Sequence, residues 1–162
     1  MDPAPSPSPV ERLLALQEIQ ALACRYALAI DTHDAELLAS LWVETPEAAA
    51  FPDMDVHTMR RHVIPRLGRI GRTFLFVSNH VIELDDAEHA HGTVYTQAQI
   101  DEGPRFNEQV ILYEDRYRRV DGSWLFVVRR HLLWYGATRS PHPLQQPPAD
   151  WPRGQVGRGV IS

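Results

Sequence analysis

The chain changes its hydrophobic period once, and this constrains the fold more than any other feature. Up to Leu67 the apolar residues recur at spacings of three and four; from Thr73 they follow four long runs of strand-forming character. A helix buries a stripe with a period of 3.6 residues, whereas a strand buries every second residue. Helices first and strands afterwards define an α+β fold. The turn signals between the runs, Asp85-Asp86, Asp101 to Pro104 and Asp121-Gly122, are short. Short turns join neighbouring antiparallel strands, so the second part is a meander.

In the helical part, Leu13, Leu16, Ile19, Leu22, Tyr26 and Ile30 lie on one face of a long helix spanning Val10 to Ile30. A second helix is expected over Ala35 to Val43, and a third over Val56 to Leu67, disturbed by Pro65. The strands are expected at Thr73–Leu84, Glu88–Ile100, Phe106–Val120 and Ser123–Tyr135. On the second of these, Ala90, Gly92, Val94, Thr96 and Ala98 share one face, with His89, His91, Thr93, Tyr95 and Gln97 on the other. A strongly curved sheet wrapped on the first helix makes a cone with one open end.

With 162 residues the chain fits one domain with a substantial core. Residues 1–9 read as a disordered or polyproline-type tail, 10–136 as the domain, and 137–162 as a Pro- and Gly-rich extension. The net charge is −5 and the 16 basic residues are dispersed, which argues against nucleic acid. No apolar run is expected to span a membrane. The N-terminus has neither the basic nor the apolar region of a signal peptide. These features lead to the expectation of a cytoplasmic protein. Cys24, the single cysteine, is expected to be a buried, inert thiol.

Asp31 stands out. It falls on the last turn of the first helix, where the macrodipole disfavours a carboxylate. Asp34 has a local reason to be there, since it caps the next helix. Asp31 has none, so its explanation is tertiary: a pocket-facing acid, or a salt bridge to Arg25 or Arg129. In the last strand, VVRRHLLWY, one of Arg129 and Arg130 should reach solvent and the other face the cavity. His89 and His91 lack a third ligand, so no metal site is expected. No phosphate loop, nucleophile elbow or dinucleotide fingerprint is present.

Three segments, IQALACRYALAIDTHDAELLASLW, NHVIELDDAEHAHGTVY and YEDRYRRVDGSW, resemble the SnoaL-like group of the nuclear-transport-factor-2-like superfamily. The resemblance implies an α+β cone around an apolar pocket and a homodimer formed through the convex sheet face. Its relatives include polyketide cyclases, scytalone dehydratase, a dehydrochlorinase, isomerases and non-catalytic modules. In the dehydratase and dehydrochlorinase branch, an Asp at the end of the first helix orients a His on the sheet. Asp31 matches that Asp and Tyr26 a Tyr one turn earlier. The family His position falls on Leu75, while His80 lies on the opposite parity. Either a bulge turns His80 inward, or the dyad is gone.

The resulting expectation is a cofactor-independent enzyme that transfers a proton on a small apolar cyclic or aromatic molecule, as a dehydratase, isomerase or cyclase. Asp31, His80 and Arg129 are its candidate catalytic groups. Tyr26, Trp42, Leu75, Tyr95, His131 and Trp134 are candidate substrate contacts. No cofactor or metal is expected. The alternative is a non-catalytic binding or assembly module on the same fold.

Overall fold

The computed structural model describes residues 7–45 and 53–146. Helix α1 (Pro9–Asp31) begins at a capping box. Ser8 N–H donates to Glu11 Oε2 at 2.8 Å, and Glu11 N–H donates to Ser8 Oγ at 3.3 Å. Ser8 and Pro9, expected in the tail, therefore start the helix. The helix ends where His33 takes a positive φ of 56°. Asp34 then caps α2 (Ala35–Ser40) by accepting from Leu37 N–H at 2.9 Å.

A short strand, β1 (Asp53–Met54), follows, which the sequence did not suggest. The expected third helix is a composite: α3 (Val56–Thr58), a wide π-helical turn at Met59–Val63, and α4 (Ile64–Leu67). Pro65 supplies no N–H and its ring collides with a carbonyl one turn back, so the backbone widens just ahead of it.

Four long strands complete the chain: β2 (Thr73–Leu84), β3 (His89–Asp101), β4 (Phe106–Val120) and β5 (Ser123–Thr138). The sheet is antiparallel throughout, in the order β1-β5-β4-β3-β2. Helix α1 packs across its inner face, chiefly on β2 and β5. Ile19, Leu22, Ala29 and Leu38 are buried there with Val94, Ile111, Trp124 and Phe126. Leu41 and Val43 exchange backbone hydrogen bonds with Phe126, which fixes Trp42 against β5.

Several expectations are corrected. Cys24 is exposed, because it lies on the outer side of α1 with Arg25 and Leu28. Leu13 is also exposed, since this end of the helix does not share the buried face that begins at Ile19. Helix α1 is long and apolar enough, by length and composition, to cross a membrane. In this fold it is the helix on which the core is built. Strand β5 continues to Thr138, and the following residues turn back onto the β3–β4 hairpin. Arg139 N–H donates to Phe106 O at 2.7 Å, and the His142 ring packs edge-on against Phe106. Most of the Pro- and Gly-rich extension, Trp151 included, lies outside the described residues.

Candidate functional site

The site is assembled by two bulges. Ser78 pairs with Tyr95 and Val81 with Thr93, so Asn79 and His80 together oppose the single residue Val94. Before this point Leu75 and Val77 share the inner face with Ala98 and Thr96; after it, Ile82 and Leu84 share it with Gly92 and Ala90. The extra residue reverses the parity of β2 and turns His80 inward. Asn79 absorbs the distortion with a φ of 44°. Gly92 makes room for it, since a Cβ there would lie 2.4 Å from the Val81 carbonyl oxygen.

The second bulge lies in β5. Tyr117 pairs with Phe126 and Arg116 with Val128, leaving Val127 extra. Phe126 and Arg129, of opposite parity in sequence, thereby both face inward. Arg129 lies directly opposite Asp115, and His131 opposite Tyr113.

At the centre is a buried ion pair. Arg129 Nε donates to Asp115 Oδ1 at 2.8 Å and Nη2 to Oδ2 at 2.7 Å. The guanidinium carbon lies 4.3, 4.2 and 4.3 Å from the ring centres of Tyr26, Tyr113 and Phe126. Only 1% of Arg129 is exposed. Burial alone would push the guanidinium pKa down; the charge and hydrogen bonds of Asp115 outweigh this and raise it. The Tyr117 hydroxyl donates to Asp115 Oδ2 at 2.8 Å, and His80 Nε2 lies 3.0 Å from that same hydroxyl. A continuous polar chain thus runs from Arg129 through Asp115 and Tyr117 to His80. Burial lowers the pKa of His80; Asp115 opposes the shift and Arg129 reinforces it. Burial also lowers His131, whose ring stands edge-on to Tyr113.

Asp31 is elsewhere. Its carboxylate accepts from Thr73 Oγ1 at 2.9 Å and from Leu75 N–H at 3.2 and 3.1 Å. Among the described residues strand β2 is a sheet edge, so the Leu75 amide has no described strand beyond it. Asp31 satisfies that amide and pins the end of α1 to the sheet. Burial raises its pKa, and the hydrogen bonds from Leu75 and Thr73 oppose the rise. Among the described residues no arginine pairs with it, and no hydrogen bond joins it to His80. The expected Asp31–His80 pairing and the Asp31–Arg129 salt bridge are both corrected: each acid is committed to a different partner.

The candidate substrate contacts divide between the two faces. Tyr26, Trp42 and His131 belong to the inner aromatic cluster, and Leu75 shares the inner face. Tyr95 and Trp134 do not. Tyr95 pairs with Leu112 on the outer face, and Trp134 packs edge-on against it while 61% exposed. Alternation from the inward-facing Arg129 and His131 places that ring on the outer face. Sequence reasoning missed Tyr113, Asp115 and Tyr117. Their signal was available: in YEDRY the tyrosines and Asp115 share one parity, with Glu114 and Arg116 on the other. An Asp on the apolar parity of a strand calls for a buried cation.

A SnoaL-like domain matches residues 11–130. The chain belongs to the SnoaL-like family. A search of curated proteins returns no match. Solved structures agree on the fold. A scytalone-dehydratase-like protein from Novosphingobium aromaticivorans is 19% identical, with a TM-score of 0.72 over 92% of this chain and 99% of that one. A hexachlorocyclohexane dehydrochlorinase from Novosphingobium barchaimii is 20% identical, with a TM-score of 0.69 over 83% and 97%. A Mycobacterium tuberculosis protein of unknown function is 23% identical, with a TM-score of 0.66 over 78% and 76%. These likenesses establish the curved-sheet cone that the SnoaL-like family shares.

Proposed function

We propose that this SnoaL-like protein is a cofactor-independent enzyme that transfers a proton on a small apolar cyclic or aromatic molecule, with dehydratase, isomerase or cyclase chemistry. The observation that carries the reading is His80: a bulge turns it to the concave face, half-buried, and couples it to a buried acid. Burial keeps its imidazole neutral at pH 7 and so able to accept a proton. In an enolisation, the lone-pair nitrogen of His80 takes a proton from a carbon beside a carbonyl. The C–H electron pair becomes the new C=C bond, and the carbonyl pair moves to oxygen.

His131 is the proposed partner at that oxygen. It lies in the same cross-sheet row as His80, separated by Tyr113 on β4 and Val94 on β3. Three strand steps cover about 14 Å along the sheet, and curvature shortens the chord, so a single ring could reach both imidazoles. The inner-face neighbours Leu75, Val77 and Trp42 are apolar, which favours a neutral, greasy molecule. Arg129 is committed to Asp115 and closed in by rings, so an anionic substrate finds no free cation there. The binding-module alternative draws support from Asp31, which ties helix to sheet.

The test is solvent-deuterium exchange by the full chain on a panel of cyclic ketones and hydroxyketones, followed by NMR. Wild type is expected to exchange at least one substrate. Its rate should fall on acidification with an apparent pKa below that of an ordinary histidine. His80→Gln should lose about 10²–10⁴-fold. Exchange that is absent throughout the panel supports the binding module instead, and exchange unchanged in His80→Gln removes His80 from the chemistry. We further propose that a second copy of the chain covers the convex face, where Phe76 and Trp134 stand exposed.

A further inference from the structure

We propose that Tyr117, held by the buried Asp115–Arg129 pair, fixes His80 as its Nε2–H tautomer and so makes Nδ1 the nitrogen that accepts a proton. Tyr117 and Asp115 are then positioning residues, and the helix-end acid Asp31 takes no part in orienting the imidazole. The catalytic half of this statement rests on the proposed function; the tautomer does not.

The argument is a proton count. Asp115 accepts from Arg129 Nε and Nη2. Two charge-assisted bonds from a guanidinium require an ionised carboxylate, which can only accept. The Tyr117 hydroxyl has one proton and gives it to Asp115 Oδ2 at 2.8 Å. Burial, with Asp115 beside it, raises the phenol pKa, so that proton stays in place. Toward His80 the phenol oxygen can therefore only accept. His80 Nε2, 3.0 Å away, must supply the hydrogen. A neutral imidazole with its hydrogen on Nε2 carries its lone pair on Nδ1. No described residue bonds Nδ1. Reversing the chain would require a proton on Asp115 in the face of Arg129.

The arrangement also serves the charged state. When Nδ1 takes a proton, the imidazolium keeps its Nε2–H bond to Tyr117 and feels the Asp115 charge through it. The pattern is that of an acid orienting a catalytic imidazole, with a phenol inserted between the two. Asp31 does not do the same: its oxygens accept from Thr73 and Leu75, and no hydrogen bond joins it to His80.

The experiment is a long-range ¹H–¹⁵N correlation of the histidine rings in the full ¹⁵N-labelled chain at pH 8, with His80 assigned by the signals lost in His80→Gln. Wild type should show a protonated-type Nε2 and a lone-pair-type Nδ1. Tyr117→Phe should move both shifts toward the mixture of free imidazole, while Asp31→Asn should leave them in place. On any substrate that exchanges, Tyr117→Phe should lower kcat by about 10–100-fold with KM little changed, as for other groups that fix an imidazole tautomer. A wild-type ring protonated at Nδ1 overturns the proposal, as do shifts unmoved in Tyr117→Phe or moved equally in Asp31→Asn. If Tyr117→Phe fails to fold, the wild-type spectrum still decides the tautomer, and Asp115→Asn, which breaks the same chain one link further back, tests what holds it. The expected tautomer with no exchange of any substrate would refute the catalytic reading and leave the assignment standing.

Discussion

Arg129 shows how far a residue's role depends on what surrounds it. Its side chain has the charge to bind an anion, yet both bonded nitrogens are given to Asp115 and three rings stack about the guanidinium. Removing one partner of such a pair leaves an uncompensated buried charge. Arg129→Met should therefore lower the urea-unfolding free energy by about 3–5 kcal/mol, whereas Arg129→Met with Asp115→Leu should recover most of it. Equal loss in the single and double variants would mean that the unpaired Asp115 charge is not what destabilises the single variant. Asp31 was legible by a different route. Helix electrostatics said that its reason had to be tertiary, and it is. What local rules could not identify was the partner, because the Leu75 amide lies 44 residues away and is unpaired only by virtue of its place at a sheet edge.

Among the elements, the limits of β2, β3 and β4 were legible to within a residue, since alternation and turn residues are local. Facing was legible only as far as the first bulge. Simple parity put Leu75 and His80 on opposite faces, and the extra residue at Asn79–His80 brings both inward. Gly92 is the counterpart of that bulge on β3. A methyl group there meets the Val81 carbonyl, backbone that cannot swing aside. Gly92→Ala should cost about 1–3 kcal/mol in urea unfolding and weaken the His80–Tyr117 contact. An unchanged unfolding midpoint would mean that the close approach is not required. The wide turn at Met59–Val63 follows the same logic on a smaller scale: Pro65 announced a disturbance, and its neighbours decided the form.

At the scale of the molecule, α1 packs on the inner face of the sheet, and among the described residues no helix packs on the outer face. Phe76, Val81, Trp134 and Tyr135 are each more than half exposed, and large apolar side chains left open on one sheet are a feature of protein interfaces. If a second copy covers it, sedimentation velocity at micromolar concentration should give a dimer, and Trp134→Glu together with Phe76→Glu should give a folded monomer. A monomeric wild type, or a double variant that still dimerises, would refute the pairing. By itself, the sequence determined the α+β class, the strand order in the chain, the curved meander and the Asp34 cap, because hydrophobic period, turn chemistry and helix capping act over a few residues. Only the tertiary structure decided that Asp115 meets Arg129, that Tyr117 reaches His80 and that Asp31 serves the sheet edge. Those contacts depend on register and parity, and a single inserted residue reverses both.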